Sequence, residues 1–151
     1  MEVYHLGHTK YANQVTGEGA RLNGGRWNHV GVPCIYASES QSLCVLEYAA
    51  NVPLDLMPDN LSFTTYFLPD ENIRTIETED LPKNWNASPA PQQLKDLGTE
   101  LLRSKKFLAL KVPSAIIPSE FNYILNPQHP AFRKVKIKKV SPFTFDSRIK
   151  Q

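Results

Sequence analysis

Ten residues near the start of the chain, 19–28, bring together side chains suited to binding an anion. The run GARLNGGRWN holds two arginines, three glycines and a tryptophan. Arg21 and Arg26 carry planar, permanently charged donor forks that fit phosphate or carboxylate. Gly25 allows the backbone to come close to a ligand, and Trp27 offers a flat ring for stacking. The segment therefore predicts a site for an anionic ligand with an aromatic stack.

Glu47 is the carboxylate best suited to chemistry, because it interrupts an apolar stretch of predicted helix. It shares a helix face with Leu43 and Cys44 by three- and four-residue spacings, and the helix is apolar almost all round, which predicts burial. A buried carboxylate must be paired, hydrogen-bonded or protonated. Two interpretations follow: a core ion pair with Arg21 or Arg26, or a carboxylate on the floor of a pocket that faces a developing positive charge or activates a nucleophile.

Two further side chains lie where predicted strands end. Tyr36 is either a core or rim tyrosine, or a ring that stacks on a ligand and a hydroxyl that hydrogen-bonds to it. Ser114 follows a strand end, where polar residues often border a site, and a helix or turn cap explains it equally well. No Gly-x-Ser-x-Gly elbow surrounds Ser114, which argues against a serine hydrolase. Asn122 and His129 add hydrogen-bonding groups in a predicted loop.

Several common motifs are missing from the sequence. It contains neither the GxxxxGK[ST] run of a P-loop nor a GxGxxG run after a strand, which argues against P-loop nucleotidases and Rossmann dehydrogenases. The four histidines show no metal-ligand spacing, and we expect no metal. Cys34 and Cys44 lack a CxxC spacing and are expected to be free, buried side chains.

Length and charge narrow the class further. The 151 residues fit one domain with a real core, and a formal charge of +2 argues against strong nonspecific DNA binding. No run approaches the roughly 20 apolar residues that cross a bilayer, and no leader is apparent, so we predict a cytoplasmic protein. The basic run at 133–139 favours a solvated edge strand whose lysines discourage aggregation; the alternative is a contact surface for a partner or nucleic acid.

The elements that must position these residues are short and mixed. Ser38 and Gln41 predict a capping box that opens the helix bearing Glu47. Strands without a regular βαβ rhythm favour the α+β class. The chain is predicted to open with a strand or loop over 4–20. The predicted strands are 33–37, 61–68, 107–112 and 133–140. The predicted helices are 39–50 and 91–104, and the predicted loops are 80–91 and 122–130.

Together these motifs resemble the RES domain, a toxin family named for an arginine, a glutamate and a serine. The resemblance rests on TGEGA at 16–20, GGRWN at 24–28, IYAS at 35–38, LE at 46–47, LKVPS at 110–114, NPQHP at 126–130 and FTFDSR at 143–148. It covers nearly the whole chain, so residues 1–151 are expected to form one RES domain. The chain departs from the family pattern in two places. His5 follows Tyr4 where the family often has an arginine. The second predicted helix has GTEL at 98–101, where the family often has a tryptophan after its glycine and acidic residues.

The resemblance implies a fold similar to ADP-ribosyltransferases and diphtheria-toxin-like enzymes. It implies a substrate, NAD⁺, which members hydrolyse or phosphorolyse, or whose ADP-ribose they transfer to a protein. It also implies an Xre-type DNA-binding antitoxin that covers the active site and supplies the contact with DNA. The site residues carried over are Arg26, Tyr36, Glu47 and Ser114 for catalysis, and Arg21, Gly25, Trp27, Asn28, Asn122 and His129 for substrate binding.

The chemistry of NAD⁺ fits these residue types. Arg26 binds its phosphates through charge-assisted bonds, and cleavage of the nicotinamide bond creates an oxocarbenium-like ribose that Glu47 stabilises. Tyr36 stacks on the nicotinamide or ribose, and Ser114 fixes one of them by a hydrogen bond. The leading hypothesis is an NAD⁺-consuming toxin. The alternatives are an ADP-ribosyltransferase that modifies a cellular protein and a non-catalytic nucleotide-binding module.

Overall fold

The structure, a computed structural model, describes residues 1–149. Within them lie seven strands, β1 (Glu2–His8), β2 (Ile35–Ser38), β3 (Leu61–Phe67), β4 (Ile73–Thr75), β5 (Ala109–Pro113), β6 (Phe121–Leu125) and β7 (Lys136–Phe143), and three helices, α1 (Glu18–Asn23), α2 (Gln41–Asn51) and α3 (Gln92–Arg103). The strands form one sheet in the order β4-β5-β6-β2-β1-β3-β7. Pairing is antiparallel except between β4 and β5. The predicted α+β class is confirmed.

Several elements agree with their predictions, and others do not. The strands predicted at 33–37, 61–68 and 107–112 correspond to β2, β3 and β5, and the helix predicted at 91–104 corresponds to α3. The final strand begins at Lys136, because residues 132–134 form a 3₁₀ turn. Its place at the edge of the sheet confirms the edge-strand interpretation of the basic run, and Lys138 pairs with Glu2 at 3.3 Å.

Three predictions of local structure are wrong. Part of the loop predicted at 122–130 is β6, a strand paired on both sides by β2 and β5; its asparagine and the prolines beyond it concealed the apolar run at its end. Residues 18–23 form α1, although the first of them belong to the predicted opening strand or loop. Gly17 precedes this helix and Gly24 follows it, with positive φ angles of 71° and 70°. The third error concerns the cap of α2.

Ser40, not Ser38, caps helix α2. The Ser40 backbone is extended, with φ at −140°, and its Oγ accepts a hydrogen bond from the Leu43 N–H at 3.1 Å. This is the geometry of an N-cap, and the helix begins at Gln41 as a result. Ser38 remains in strand β2, where it is 4% exposed. Its hydroxyl is thereby free to act elsewhere.

Alternating side chains of the central strands feed two core layers on opposite faces of the sheet. Ile35 and Ala37 pack on one face, while Cys34 and partly buried Tyr36 pack on the other against α3. Gly98 allows α3 to lie directly on the loop at 24–28, because a Cβ there would fall 1.9 Å from the Trp27 carbonyl oxygen. Helix α3 thereby fixes the strand-like turn that carries Arg26.

Both cysteines agree with their prediction, since their thiols are buried and unbridged. Burial raises the pKa of Cys34 and Cys44 to about 12, so both stay protonated. Across residues 1–149, each helix is too short or too polar to cross a membrane.

Candidate active site

A cavity of about 810 Å³ opens beside the central strands. Its wall comes from β1, β2, β3 and β6, from helices α1 and α2, and from the loop that follows α1. Its volume is within the range of small-molecule and cofactor sites. The predicted site residues in the wall are Gly25, Arg26, Trp27, Tyr36, Glu47 and Asn122.

Glu47 is held by neutral hydrogen-bond donors. Its Oε1 accepts from the Ser114 Oγ at 2.7 Å and from the Asn122 Nδ2 at 2.8 Å. The predicted ion pair with Arg21 or Arg26 is wrong, because no cation of residues 1–149 lies within ion-pair distance of this carboxylate. Both bonds use the same oxygen, so the carboxylate is fixed at one end.

Helix α2 is buried on one side only, which corrects the expectation that it is enclosed all round. Leu43, Cys44 and Ala49 are buried, whereas Leu46 is 39% exposed. Glu47 shares the face of Leu43 and Cys44 and is half-buried. The helix can therefore present a carboxylate to the cavity while packing against β1 through its apolar side.

Ser114 combines the two interpretations that its sequence position allowed. Its Oγ accepts from the N–H groups of Ile116 and Ile117, both at 3.1 Å, and so caps the turn after β5. The same hydroxyl donates to Glu47, which uses its single proton. Ser114 is 0% exposed and lies behind the cavity wall. The geometry supports contact with Glu47 rather than the direct substrate bond that we expected.

Tyr36 presents its ring to the cavity and holds its hydroxyl inside the protein. The hydroxyl donates to the Asn28 Oδ1 at 2.6 Å and accepts from the Trp27 N–H at 3.0 Å. Burial raises the pKa of this phenol well above its usual value, so the hydroxyl stays protonated. A Cβ on Gly25 would lie 2.5 Å from the Tyr36 Oη. Gly25 therefore makes room for a protein side chain, whereas we expected it to make room for a ligand.

Asn28 and Trp27 support this wall from within the protein, and their burial gives no support to their predicted role in substrate binding. Asn28 is 0% exposed, and its Nδ2 donates to the carbonyl oxygens of Ala20 and Val32 at 2.9 and 3.0 Å. Trp27 is 3% exposed and packs in the core with Leu94. Its ring therefore has no open face on which a ligand could stack.

Arg26 joins the cavity to the segment 81–91. Its Nη1 donates to the Ala87 carbonyl at 2.9 Å and its Nη2 to the Trp85 carbonyl at 2.6 Å. Partial burial lowers the pKa of Arg26, and the nearby charge of Glu47 acts in the opposite direction. A guanidinium carries five N–H donors, so two such bonds leave donors for an anion in the cavity.

Two further predicted binding residues, Arg21 and His129, lie outside the cavity wall, as Asn28 does. Arg21 forms an ion pair with Glu18, one turn earlier on α1, and its side chain is 40% exposed. His129 uses its Nδ1 to accept from the Ala131 N–H at 3.0 Å in the turn after β6. Their predicted contact with substrate has no support from these positions.

His5 is in the cavity wall, although the sequence identified it only as a departure from the family pattern. Its Nδ1 lies 2.8 Å from the Tyr36 carbonyl oxygen. Because a carbonyl only accepts, Nδ1 carries the proton, and Nε2 of the neutral ring is an acceptor. Burial lowers the pKa of His5 and so favours this neutral form. Gly7, two residues further along β1, lies beside Nε2. Residues two apart on a strand face the same side of the sheet, and this spacing was the sequence signal that could have placed His5 in the wall.

No group of three or more His, Cys, Asp or Glu side chains in the described part of the chain could hold a metal ion. The wall of the cavity instead offers the guanidinium of Arg26, the carboxylate of Glu47, the imidazole of His5 and the ring of Tyr36. This set can bind an anion, stabilise a cation and accept hydrogen bonds from hydroxyl groups.

Comparisons with known proteins show the family of the chain. The sequence pattern of the RES domain matches residues 2–146. A protein of Yersinia enterocolitica named "Toxin Res" is 38% identical over 99% of this chain and 100% of its own length. A protein of Sphingobium sp. named "Prs ADP-ribosylating toxin" is 35% identical over 93% of this chain and 89% of its own.

A solved structure also shares the fold. It is the M. tuberculosis MbcT–MbcA toxin–antitoxin complex, in which one chain superposes with a TM-score of 0.78 at 20% identity, over 95% of the present chain and 84% of that chain. At this identity the likeness concerns the fold alone. The extent of the sequence matches, with the cavity that Arg26, Tyr36 and Glu47 share, shows that the chain belongs to the RES domain toxin family.

Proposed function

We propose that this protein is a toxin that consumes NAD⁺ by cleaving its nicotinamide N-glycosidic bond. The observation that carries the proposal is Glu47, a carboxylate held by Ser114 and Asn122 in the wall of a cavity that also contains Arg26 and Tyr36. A negative charge fixed beside a developing oxocarbenium ion lowers the barrier to its formation.

Each wall residue has a task in this reaction. Arg26 binds the pyrophosphate with the donors that Trp85 and Ala87 leave free. Tyr36 packs its ring against the nicotinamide or the adjacent ribose. As the bond between the ribose C1 and the nicotinamide nitrogen breaks, neutral nicotinamide leaves with the electron pair. The oxygen of water or phosphate then forms the new bond to C1, and an attacking water releases one proton to the solvent. Ser114 acts through Glu47, because its only proton is donated to that carboxylate.

The decisive measurement is nicotinamide release by the purified protein from NAD⁺, with and without inorganic phosphate. Hydrolysis yields ADP-ribose in either condition, whereas phosphorolysis requires phosphate and yields phosphorylated ADP-ribose. Glu47→Gln should lower the rate about 100-fold or more, since a preorganised charge is lost. Glu100→Gln removes a carboxylate of α3 that lies outside the cavity and should retain full activity. Absence of release by the unaltered protein would refute the proposal.

A second candidate reaction is transfer of ADP-ribose to a cellular protein, favoured by the name of the Sphingobium relative. A nucleophilic side chain of the acceptor would then attack C1 in place of water. Incubation of cell lysate with labelled NAD⁺ distinguishes the two, because transfer produces a labelled protein band that depends on Glu47. Calorimetric binding of NAD⁺ without turnover or transfer would indicate a non-catalytic nucleotide-binding module instead.

The proposal includes an Xre-type antitoxin that covers the cavity. This antitoxin also supplies the contact with DNA, and the pair acts in the cytoplasm. The proposal is supported by the complex in which the structural neighbour was solved and by apolar side chains at the cavity. Tyr11 is 55% exposed and Leu22 is 58% exposed, and both belong to its wall. A partner seated there would bury them. Leu22→Asp should weaken binding of a helix-turn-helix protein encoded in the neighbouring reading frame; unchanged affinity would exclude this surface.

A further inference from the structure

A chain of three polar side chains leads from strand β2 to the carboxylate of Glu47. The Ser38 Oγ lies 2.7 Å from the Asn122 Oδ1, and the Asn122 Nδ2 lies 2.8 Å from the Glu47 Oε1. Ser38 and Asn122 face each other in the antiparallel pairing of β2 with β6. The link therefore depends on the register of two neighbouring strands.

The direction of each hydrogen bond is fixed by its chemistry. An ionised carboxylate only accepts, so the amide of Asn122 must turn its NH₂ group toward Glu47. Its carbonyl oxygen then faces Ser38, and the serine hydroxyl must donate its proton to that oxygen. Removal of the hydroxyl leaves the amide free to rotate and to turn its oxygen, instead of a donor, toward the carboxylate. Ser38 thus determines which end of Asn122 meets Glu47.

Ser38 is suited to this task by its surroundings. It is 4% exposed, so water has little access to replace its bond to the amide. Asn122 is half-buried and belongs to the cavity wall, where a free amide would sample more than one orientation. The second donor to Glu47, Ser114, approaches from β5 and has no part in this chain of bonds.

We propose that Ser38 is a positioning residue for Glu47, acting through the side-chain amide of Asn122. The inference rests on the proposed function for its kinetic consequence, since the carboxylate is the group that stabilises the transition state. Its structural content, the orientation of one amide by one hydroxyl, is independent of the reaction.

A double-mutant cycle tests the kinetic consequence. Ser38→Ala should lower kcat for nicotinamide release roughly tenfold, with KM changed less than about twofold, because only transition-state stabilisation is weakened. Asn122→Ala should lower kcat by at least as much, and the double variant should match Asn122→Ala alone. Losses that multiply in the double variant would overturn the proposal, because they would mean that Ser38 acts independently of the amide.

Matched variants separate positioning from general stability. Ser38→Thr keeps the hydroxyl and should retain most of kcat. Ser38→Cys has a weaker donor, so its kcat should lie between those of the threonine and alanine variants. The cysteine variant replaces Ser38→Ala if the alanine protein fails to fold. Thr99→Val removes a different buried hydroxyl, which accepts from the His29 N–H at 3.0 Å outside the cavity; it should keep kcat. Equal kcat for the threonine and cysteine variants would contradict the proposal.

The orientation of the amide is measurable without turnover. In ¹⁵N-labelled protein, the two Asn122 side-chain amide protons should shift when Glu47 is changed to glutamine (Glu47→Gln), and that response should be lost in the Ser38→Ala background. If the unaltered protein releases no nicotinamide yet shows this behaviour, the proposed function fails and the positioning of Glu47 by Ser38 stands. An Asn122 resonance that responds identically with and without the Ser38 hydroxyl would refute the positioning role.

Discussion

The segment 19–28 and the surroundings of Glu47 contribute to one cavity in opposite ways. The first is dense in functional groups, but most of them serve the protein: Asn28 braces two carbonyl oxygens, Trp27 lies in the core, and Arg21 pairs with Glu18. The second begins with a single carboxylate that collects donors from distant parts of the chain. Most polar residues of the first segment thus support the fold, while the isolated charge in an apolar helix is the group to which the proposed function assigns the chemistry.

The largest stability effect should come from Asn28→Ala. This change removes the amide that satisfies the carbonyl oxygens of Ala20 and Val32 and the Tyr36 hydroxyl, and buried polar groups left without partners are costly. We expect a loss of about 3 kcal/mol in the free energy of unfolding, measured by urea denaturation. Unchanged stability with weakened NAD⁺ binding would instead mean that Asn28 contacts the substrate. The segment 19–28 and the surroundings of Glu47 would then no longer differ in the way described.

Gly25→Ala should have the next largest effect on stability. The added methyl group would collide with the Tyr36 hydroxyl and ring, at an expected cost of about 2 kcal/mol. Tyr36→Phe in the same chain should recover part of that cost, because the nearest atom is the hydroxyl oxygen. If the two changes are additive in urea denaturation, Gly25 does not act through Tyr36.

The two arginines of the segment should behave differently. Arg26→Gln should lower the rate of NAD⁺ consumption at least tenfold, because an uncharged amide replaces the phosphate-binding fork. It should also increase protease cleavage within 81–91, since the bonds to Trp85 and Ala87 are lost. Arg21→Gln is the matched control and should change neither rate nor cleavage. Equal losses in the two variants would show that both guanidinium groups reach the substrate.

The smallest effect is a pH dependence of stability that His5 contributes. Burial lowers its pKa below the ordinary value of 6.5, so just below that pH the unfolded chain takes up a proton that the folded protein does not. The stability contribution is therefore complete above pH 6.5 and declines as the pH falls below it. Urea denaturation at about pH 8 and about pH 5.5 should show a smaller decline for His5→Gln than for the unaltered chain; identical declines would contradict the shift.

The sequence was most informative where chemistry is local. Residue types made Arg26, Tyr36 and Glu47 candidates, the resemblance to the RES domain grouped them, and the fold brings all three into one cavity wall. The cap of α2 was displaced by two residues, from Ser38 to Ser40, because both serines precede the same apolar run. Strong local patterns thus fixed element types better than element ends.

What the sequence could not supply was the pairing of distant strands. Ser38 and Asn122 are 84 positions apart, and only the register of β2 against β6 makes them neighbours. The same limitation concealed the role of His5, whose bond to the Tyr36 carbonyl links β1 to β2. Partners in a sheet follow from the competition among all strand pairings, which no single segment encodes.

The order in which the site is assembled has a consequence for the cell that makes it. Glu47 is synthesised early, but both of its donors lie beyond residue 113, and β6 must enter the sheet between β5 and β2 before Asn122 can reach it. A nascent chain that ends before Ser114 therefore carries the carboxylate without either of the groups that hold it, and one that ends before β6 still lacks Asn122. On the proposed function, such incomplete products lack the assembled site, and toxicity begins only once β6 has been made and has paired with β2 and β5.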